Sequence, residues 1–130
     1  MFRPMRRAKK AIPDEAAKRL LQTERRGVLA VNGDLGYPYA VPVNFLYDEA
    51  AGKLYFHGAL AGHKADALRR DERVCFTVCG AERVEPEAAW APYLQSAVVF
   101  GRCRLMEDGP EAEAALRRLA AKYYPDAETI

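Results

Sequence analysis

The most informative part of this chain reads Leu54-Tyr55-Phe56-His57-Gly58-Ala59-Leu60-Ala61-Gly62-His63-Lys64-Ala65-Asp66-Ala67-Leu68. The apolar run that ends at His57 predicts a buried strand, and the small residues after it predict a turn. A helix is predicted from Gly62 onward. The first N–H groups of a helix have no partner within it, and the helix dipole is positive there. Because this helix start also carries Lys64, it favours an anion such as phosphate.

A second strand lies just before this stretch and contains Pro42, Val43, Asn44 and Phe45. Only a short turn separates Asp48, at its end, from Tyr55. We therefore predict that the two strands pair side by side. Their mixed polar and apolar wall, next to a phosphate-binding helix start, suits a flat, phosphorylated cofactor. Pro42 removes a ladder hydrogen bond, so it favours a strand edge or bulge where a ligand meets the backbone.

Alternating and helical patterns elsewhere predict five strands and three helices. The predicted strands are Arg26–Asn32, Tyr39–Tyr47, Leu54–His57, Val74–Val78 and Ser96–Met106. The first two predicted helices are Pro13–Glu24 and Gly62–Arg70. The third helix begins at Asp108-Gly109-Pro110-Glu111, which has the spacing of a capping box. The segment Gly80–Leu94 is predicted to be irregular. Short turns favour antiparallel pairing. The fold is predicted to be a mainly β, small antiparallel barrel with peripheral helices, in one domain over residues 1–130 with a flexible basic arm at 1–11.

Composition excludes several classes of protein. The net charge of +2 is too small to indicate a nucleic-acid partner, and no run of 18 or more apolar residues exists to span a membrane. The three cysteines form no C-x-x-C pair, which argues against a disulfide framework and a zinc site. Cys75 and Cys79 are interpreted as small buried residues on a strand that is apolar on both faces. A reducing cytoplasm is the expected location.

The order and spacing of several segments resemble the pyridoxamine-phosphate-oxidase-like superfamily of FMN-binding split barrels, in its nitroimidazole-resistance and flavin-nucleotide-binding branch. The similarity runs from about Ile12 to Tyr124. It is carried by Pro42–Phe45, Leu54–Ala59, Gly62–Lys64 with Asp66 and Leu68, Arg73–Phe76 and Tyr93–Gly101.

The resemblance implies a Greek-key-like split β-barrel, FMN as cofactor and a homodimer with the flavin at the subunit interface. The strand of Pro42, Val43, Asn44 and Phe45 would lie along the isoalloxazine ring, largely through backbone groups. His57, Gly58 and Ala59 would pass beside the ring and ribityl chain, Gly62, His63 and Lys64 would hold the phosphate, and Ser96 would reach the flavin of the opposite subunit.

Two side chains keep alternative interpretations. His57 is a weak candidate for catalysis, because histidine titrates near neutral pH, and it is equally a flavin contact or a structural residue. Asn44 either ties a strand edge or reaches the polar rim of the flavin.

Departures from the family's pattern narrow the expected activity. Pro42 and His63 stand where pyridoxamine-phosphate oxidases place arginines, and the C-terminal segment that recognises the pyridoxal substrate has no counterpart. Many relatives end with one more strand, and either this form has lost that strand or the sequence is a shortened form. Oxidation of vitamin B6 is therefore not expected.

The leading hypothesis is an FMN-dependent oxidoreductase that passes electrons from a reduced nicotinamide to a small acceptor such as a nitroaromatic compound. The alternatives are a non-catalytic flavin-binding or redox-sensing module, a haem or deazaflavin binder on the same barrel, and a purely structural dimer.

Overall fold

The computed structural model describes residues 2–58, 61–83 and 93–125. Three α-helices and six strands occur in these ranges. In chain order they are α1 (Asp14–Thr23), β1 (Gly27–Asn32), β2 (Pro38–Val43), β3 (Phe45–Asp48), β4 (Lys53–Phe56), α2 (His63–Arg70), β5 (Arg73–Arg83), β6 (Tyr93–Arg102) and α3 (Pro110–Tyr123). The fold class predicted from the sequence is confirmed: the chain is a split β-barrel with peripheral helices.

The strands form two antiparallel sheets. One has four strands in the order β2-β1-β5-β6, and the other is the β3–β4 hairpin. The predicted pairing of the strands that end at Asp48 and begin near Tyr55 is confirmed, because Leu46 pairs with Tyr55 and Asp48 with Lys53. Pro42 lies on β2, an edge strand, opposite Val28.

The single strand predicted over Tyr39–Tyr47 is wrong, since the chain leaves one sheet for the other at Asn44. This break explains why six strands form where five were predicted. Val43 and Phe45 on either side of it are both buried. The inward alternation therefore continues across the break, so the hydrophobic pattern cannot reveal the change of sheet.

The core lies between the four-stranded sheet, the hairpin and the first two helices. Phe76 of β5 is at its centre and is 2% exposed. The Phe45 ring meets it edge-on, with ring centroids 4.9 Å apart, and the Phe56 ring lies at 5.2 Å. Gly27 lies directly against the Phe76 ring, so a β-carbon at residue 27 would overlap it. Leu20 and Leu21 of α1 are buried and belong to the same core.

Strand β5 is buried on one face only, which corrects the two-faced interpretation. Phe76 and Val78 face the core, whereas Cys75 is half-buried and Cys79 is exposed. On the outer face of this sheet Val28, Val98 and Phe100 are exposed, and Phe2 of the basic arm stacks on Phe100.

Several element ends also differ from the prediction. Strand β6 ends at Arg102 rather than Met106, and β5 continues to Arg83 inside the segment predicted to be irregular, of which residues 84–92 lie outside the described ranges. The capping box at Asp108 is also wrong. Gly109 occupies the cap position and has no side chain that could form the cap hydrogen bond, and Pro110 follows at the start of the helix.

The basic arm lies exposed and includes a short 3-10 turn at Ala8–Lys10. Phe2 stacks on Phe100 of β6 with ring centroids 4.8 Å apart. No helix in the described part of the chain is long and apolar enough to cross a membrane.

Candidate functional site

A cleft of about 470 Å³ opens between the end of β2 and the last turns of α3. We call it the β2–α3 cleft. Pro42, Val43 and Asn44 line it, together with His57 and Lys64. Five of the residues predicted from the sequence to contact a cofactor are therefore brought together here. Cofactor pockets range from about 300 to 1,000 Å³, so its size suits a flavin.

The opposite wall is α3, which the sequence analysis did not assign to the site. Its lining residues are Leu116, Leu119, Ala120 and Tyr123. Tyr124, just after the helix, also lines the cleft, and Arg26 adds a cation. Leu116, Leu119 and Tyr123 have the i, i+3, i+7 spacing of one helix face. That spacing is the sequence signal for this wall.

Helix α3 is held in place by contacts with the backbone of Phe45. The Tyr123 hydroxyl accepts the Phe45 N–H at 3.0 Å and donates to the Arg25 carbonyl at 2.8 Å. The Lys122 ammonium donates to the Phe45 carbonyl at 2.9 Å and lies 3.6 Å from the centroid of its ring. Burial, with a smaller effect of the Arg25 cation, lowers the pKa of Lys122 to about 8.

A second set of contacts holds the middle of α3 on the β3–β4 hairpin. Arg118 pairs with the Asp48 carboxylate at 2.9 Å, and Asp48 also accepts the Ala51 N–H. The side-chain hydrogen bond from Arg118 is the main reason why the pKa of Asp48 lies below its usual value. The α3 wall of the cleft is therefore fixed at two points, Phe45 and Asp48.

Phe45 itself belongs to the core rather than to the cleft. Its side chain is fully buried, and both polar groups of its backbone contact α3. Within one chain, the backbone of residues 42–44 is the part of the predicted ring-binding strand that borders the cleft.

Lys64 carries the positive charge at the end of the cleft. It is the second residue of α2, which begins after Gly62 with a φ of 113°, a conformation that favours glycine. A β-carbon on Gly58 would lie 2.8 Å from the Lys64 ammonium, so the ammonium rests directly over this glycine. Among the described residues, Lys64 has no carboxylate or carbonyl partner within bonding distance.

An anion at this position would meet both the ammonium and the first turn of α2. The earliest backbone bond into the helix runs from Asp66 N–H to the Gly62 carbonyl, which leaves the N–H groups of residues 63–65 without helical partners. A phosphate group needs compact positive charge and N–H donors. The residues present thus fit the phosphate end of a flavin nucleotide.

A larger cavity of about 830 Å³ adjoins the cleft beneath α3. It shares His57, Lys64, Leu116 and Leu119 with the cleft. Cys103 lies in its wall, where burial raises the pKa of the thiol and the Lys64 charge acts in the opposite direction. Lys64 therefore influences both spaces.

The other predicted site residues lie apart from the cleft. The His63 side chain contacts the turn between β1 and β2 instead. Ser96 is exposed on the outer face of β6, opposite Cys79, and does not line the cleft within one chain. Gly58 borders the larger cavity, and Ala59 lies outside the described residues.

Solved structures with the same fold are numerous, although no curated protein matches the chain in sequence. A candidate 5-nitroimidazole antibiotic resistance protein from Bacteroides thetaiotaomicron superposes with a TM-score of 0.80 at 24% identity, over 90% of this chain and 70% of that one. A FAD-binding protein from Mesorhizobium loti gives a TM-score of 0.65 at 24% identity, over 92% and 80%. A FAD and heme binding protein from Mycobacterium smegmatis gives 0.70 at 22% identity, over 89% and 56%.

The family model described as pyridoxamine 5'-phosphate oxidase matches residues 13–130. This match spans every α-helix and strand of the described fold, including both walls of the cleft. The chain therefore belongs to the pyridoxamine 5'-phosphate oxidase family.

Proposed function

We propose that this protein binds FMN in the β2–α3 cleft and acts as a flavin-dependent oxidoreductase. The observation that carries the proposal is the Lys64 ammonium, which lies over Gly58 at the start of α2 with no carboxylate or carbonyl partner among the described residues. Lys64 borders the cleft, as do Pro42, Val43 and Asn44. Two of the structures with this fold are of FAD-binding proteins, which supports a flavin as the ligand.

Each end of the cleft has a distinct part in this proposal. Lys64 and the N–H groups of α2 would hold the phosphate, and the strand end at residues 42–44 with the α3 face would enclose the ring. Arg26 adds a second cation to the lining. His57 borders both the cleft and the larger cavity, so it is placed to contact a ligand in either.

A bound flavin supplies electron transfer from a reduced nicotinamide, which is oxidised, to a small acceptor, which is reduced. The chain's own residues bind and orient the cofactor and exclude water from one face of it. The larger cavity, with its mainly apolar lining from β4, β6 and α3, offers space for a small apolar acceptor beside the cleft.

The reaction is tested with protein loaded with FMN and freed of unbound cofactor. We expect oxidation of a reduced nicotinamide, followed at its absorption maximum, to accelerate when a nitroaromatic acceptor is added. The rate should exceed that of an equal concentration of free FMN. A loaded protein that is no faster than free FMN would contradict the oxidoreductase activity and support a flavin-binding or redox-sensing module.

We further propose that the outer face of the four-stranded sheet joins two copies of the chain. Val28, Thr77 and Val98 form one row across β1, β5 and β6, and Ala30, Cys75 and Phe100 form the next. Val98 and Phe100 are 55% and 53% exposed, which is typical of a face that packs against a partner. Pro42 and Ser96 lie on this same face, so the interface would adjoin the flavin site.

The interface is tested with Val98→Glu, which places a charge at the centre of this face. We expect light scattering to give twice the 14.5 kDa chain mass for the wild type and a monomer for V98E. Leu35→Glu is the matched control, because Leu35 is 94% exposed on the turn between β1 and β2. A wild type that is monomeric at micromolar concentration would contradict this interface.

A further inference from the structure

His63, next to the proposed phosphate-binding lysine, makes contacts that no phosphate role explains. Its Nε2 accepts the backbone N–H of Asp34 at 3.0 Å. Its ring stacks on Tyr39 of β2, with centroids 4.1 Å apart and planes 27° from parallel. The side chain thus points into the β1–β2 turn, although it belongs to the first residue of α2.

The turn is shaped to receive this ring. A β-carbon on Gly33 would lie 2.9 Å from His63 Nε2 and 2.7 Å from the Tyr37 carbonyl, so only glycine leaves room for both. Gly33 N–H donates to that carbonyl at 2.9 Å and closes the turn. The same Nε2 also lies 3.7 Å from an oxygen of the Asp34 carboxylate.

The same turn holds α2 at its other end. The Asp34 carboxylate pairs with Arg70 of the last helical turn at 3.1 Å. Asn32, at the end of β1, donates to the Asp71 carboxylate at 3.2 Å. Helix α2 is therefore fixed at both ends to the β1–β2 turn. His63 is the contact at the end where Lys64 and the free N–H groups lie.

We propose that His63 is a positioning residue, which sets the first turn of α2 and hence directs Lys64 and the helix N–H groups at the cofactor phosphate. The inference rests on the proposed phosphate site. This role takes the place of the predicted direct contact between His63 and the phosphate. The ring nitrogen Nε2 already accepts the Asp34 N–H, and the ring itself already stacks on Tyr39.

The test compares two variants of His63. His63→Phe keeps a ring on Tyr39 but has no acceptor for the Asp34 N–H, whereas the amide oxygen of His63→Gln can accept that N–H. Affinities for FMN and for riboflavin, which has no phosphate, are measured by quenching of flavin fluorescence. Loss of one such hydrogen bond corresponds to a weakening of roughly three- to tenfold. We expect H63F to weaken FMN binding by this factor and leave riboflavin binding unchanged, and H63Q to restore much of the FMN affinity.

A double variant distinguishes positioning from a general structural role. If His63 acts through the start of α2, H63F should weaken FMN binding less in a Lys64→Ala background than in the wild type, because only the helix N–H groups remain to be directed. H63F binding FMN as tightly as the wild type, or weakening FMN and riboflavin equally, would overturn the inference and leave the proposed function intact. A wild type that binds no FMN would overturn the proposed function, and the inference with it.

Discussion

Replacing Lys64 with alanine is expected to weaken FMN binding by roughly ten- to a hundredfold, because hydrogen bonds to a charged group contribute about 1.5–3 kcal/mol each. The Lys64 ammonium is the only cation of the described chain that borders the cleft at the start of α2. Its carbon stem is half-buried, and no carboxylate in the described residues competes for it. Fluorescence titration at fixed ionic strength measures the effect.

Riboflavin and a second lysine variant provide the controls for this experiment. Riboflavin lacks the phosphate, so its affinity should be the same for K64A and the wild type. Lys9→Ala removes the same charge from the exposed arm and should leave FMN binding unchanged. If K64A and the wild type bound FMN equally, the phosphate would lie elsewhere.

Replacing Phe76 with alanine is expected to cause a large loss in the free energy of unfolding. Its ring is 2% exposed and packs between the rings of Phe45 and Phe56, with Gly27 directly against it. Truncating a buried phenylalanine costs about 3–5 kcal/mol, against a total stability of about 5–15 kcal/mol for a domain. Chemical denaturation followed by circular dichroism, at one protein concentration, measures the free energy of unfolding.

Phe2→Ala is the matched control for that substitution. Phe2 is 70% exposed and contacts Phe100 only at the surface. Its removal should change the free energy of unfolding by no more than about 0.5 kcal/mol. A loss below about 1 kcal/mol for F76A would show that Phe76 is not at the centre of the core.

The sequence predicts the local elements of the fold well and the change of sheet at Asn44 not at all. Strand and helix patterns follow from which residues face inward, and those periods are visible at β1, β4, α1 and α2. The alternation of Val43 and Phe45 continues across the break. The segments before and after the break differ in their partner strand, because β2 pairs with β1 and β3 pairs with β4. The partner of a strand depends on the whole fold and is not visible in the local sequence.

The residues of the candidate site also fall into a group that local sequence predicts and a group that depends on long-range contacts. Lys64 and residues 42–44 were predicted from local signals, a helix start and a proline at a strand edge, and the structure places them around one cleft. The α3 wall depends on long-range contacts, from Tyr123 and Lys122 to Phe45 and from Arg118 to Asp48. The resemblance implies that His63, like Lys64, holds the phosphate. Neighbouring residues on a helix point in different directions, however, and the His63 side chain contacts the Asp34 N–H instead.

The measurement that tests the central claim most directly is a visible absorption spectrum of the purified protein after addition of FMN and desalting. The proposed cleft predicts retained bands of oxidised flavin, at about one FMN per chain. The same experiment with FAD shows whether the cleft also accepts the larger nucleotide. A protein that emerges colourless from both, with its fold intact by circular dichroism, would contradict a flavin site at Lys64 and the β2–α3 cleft.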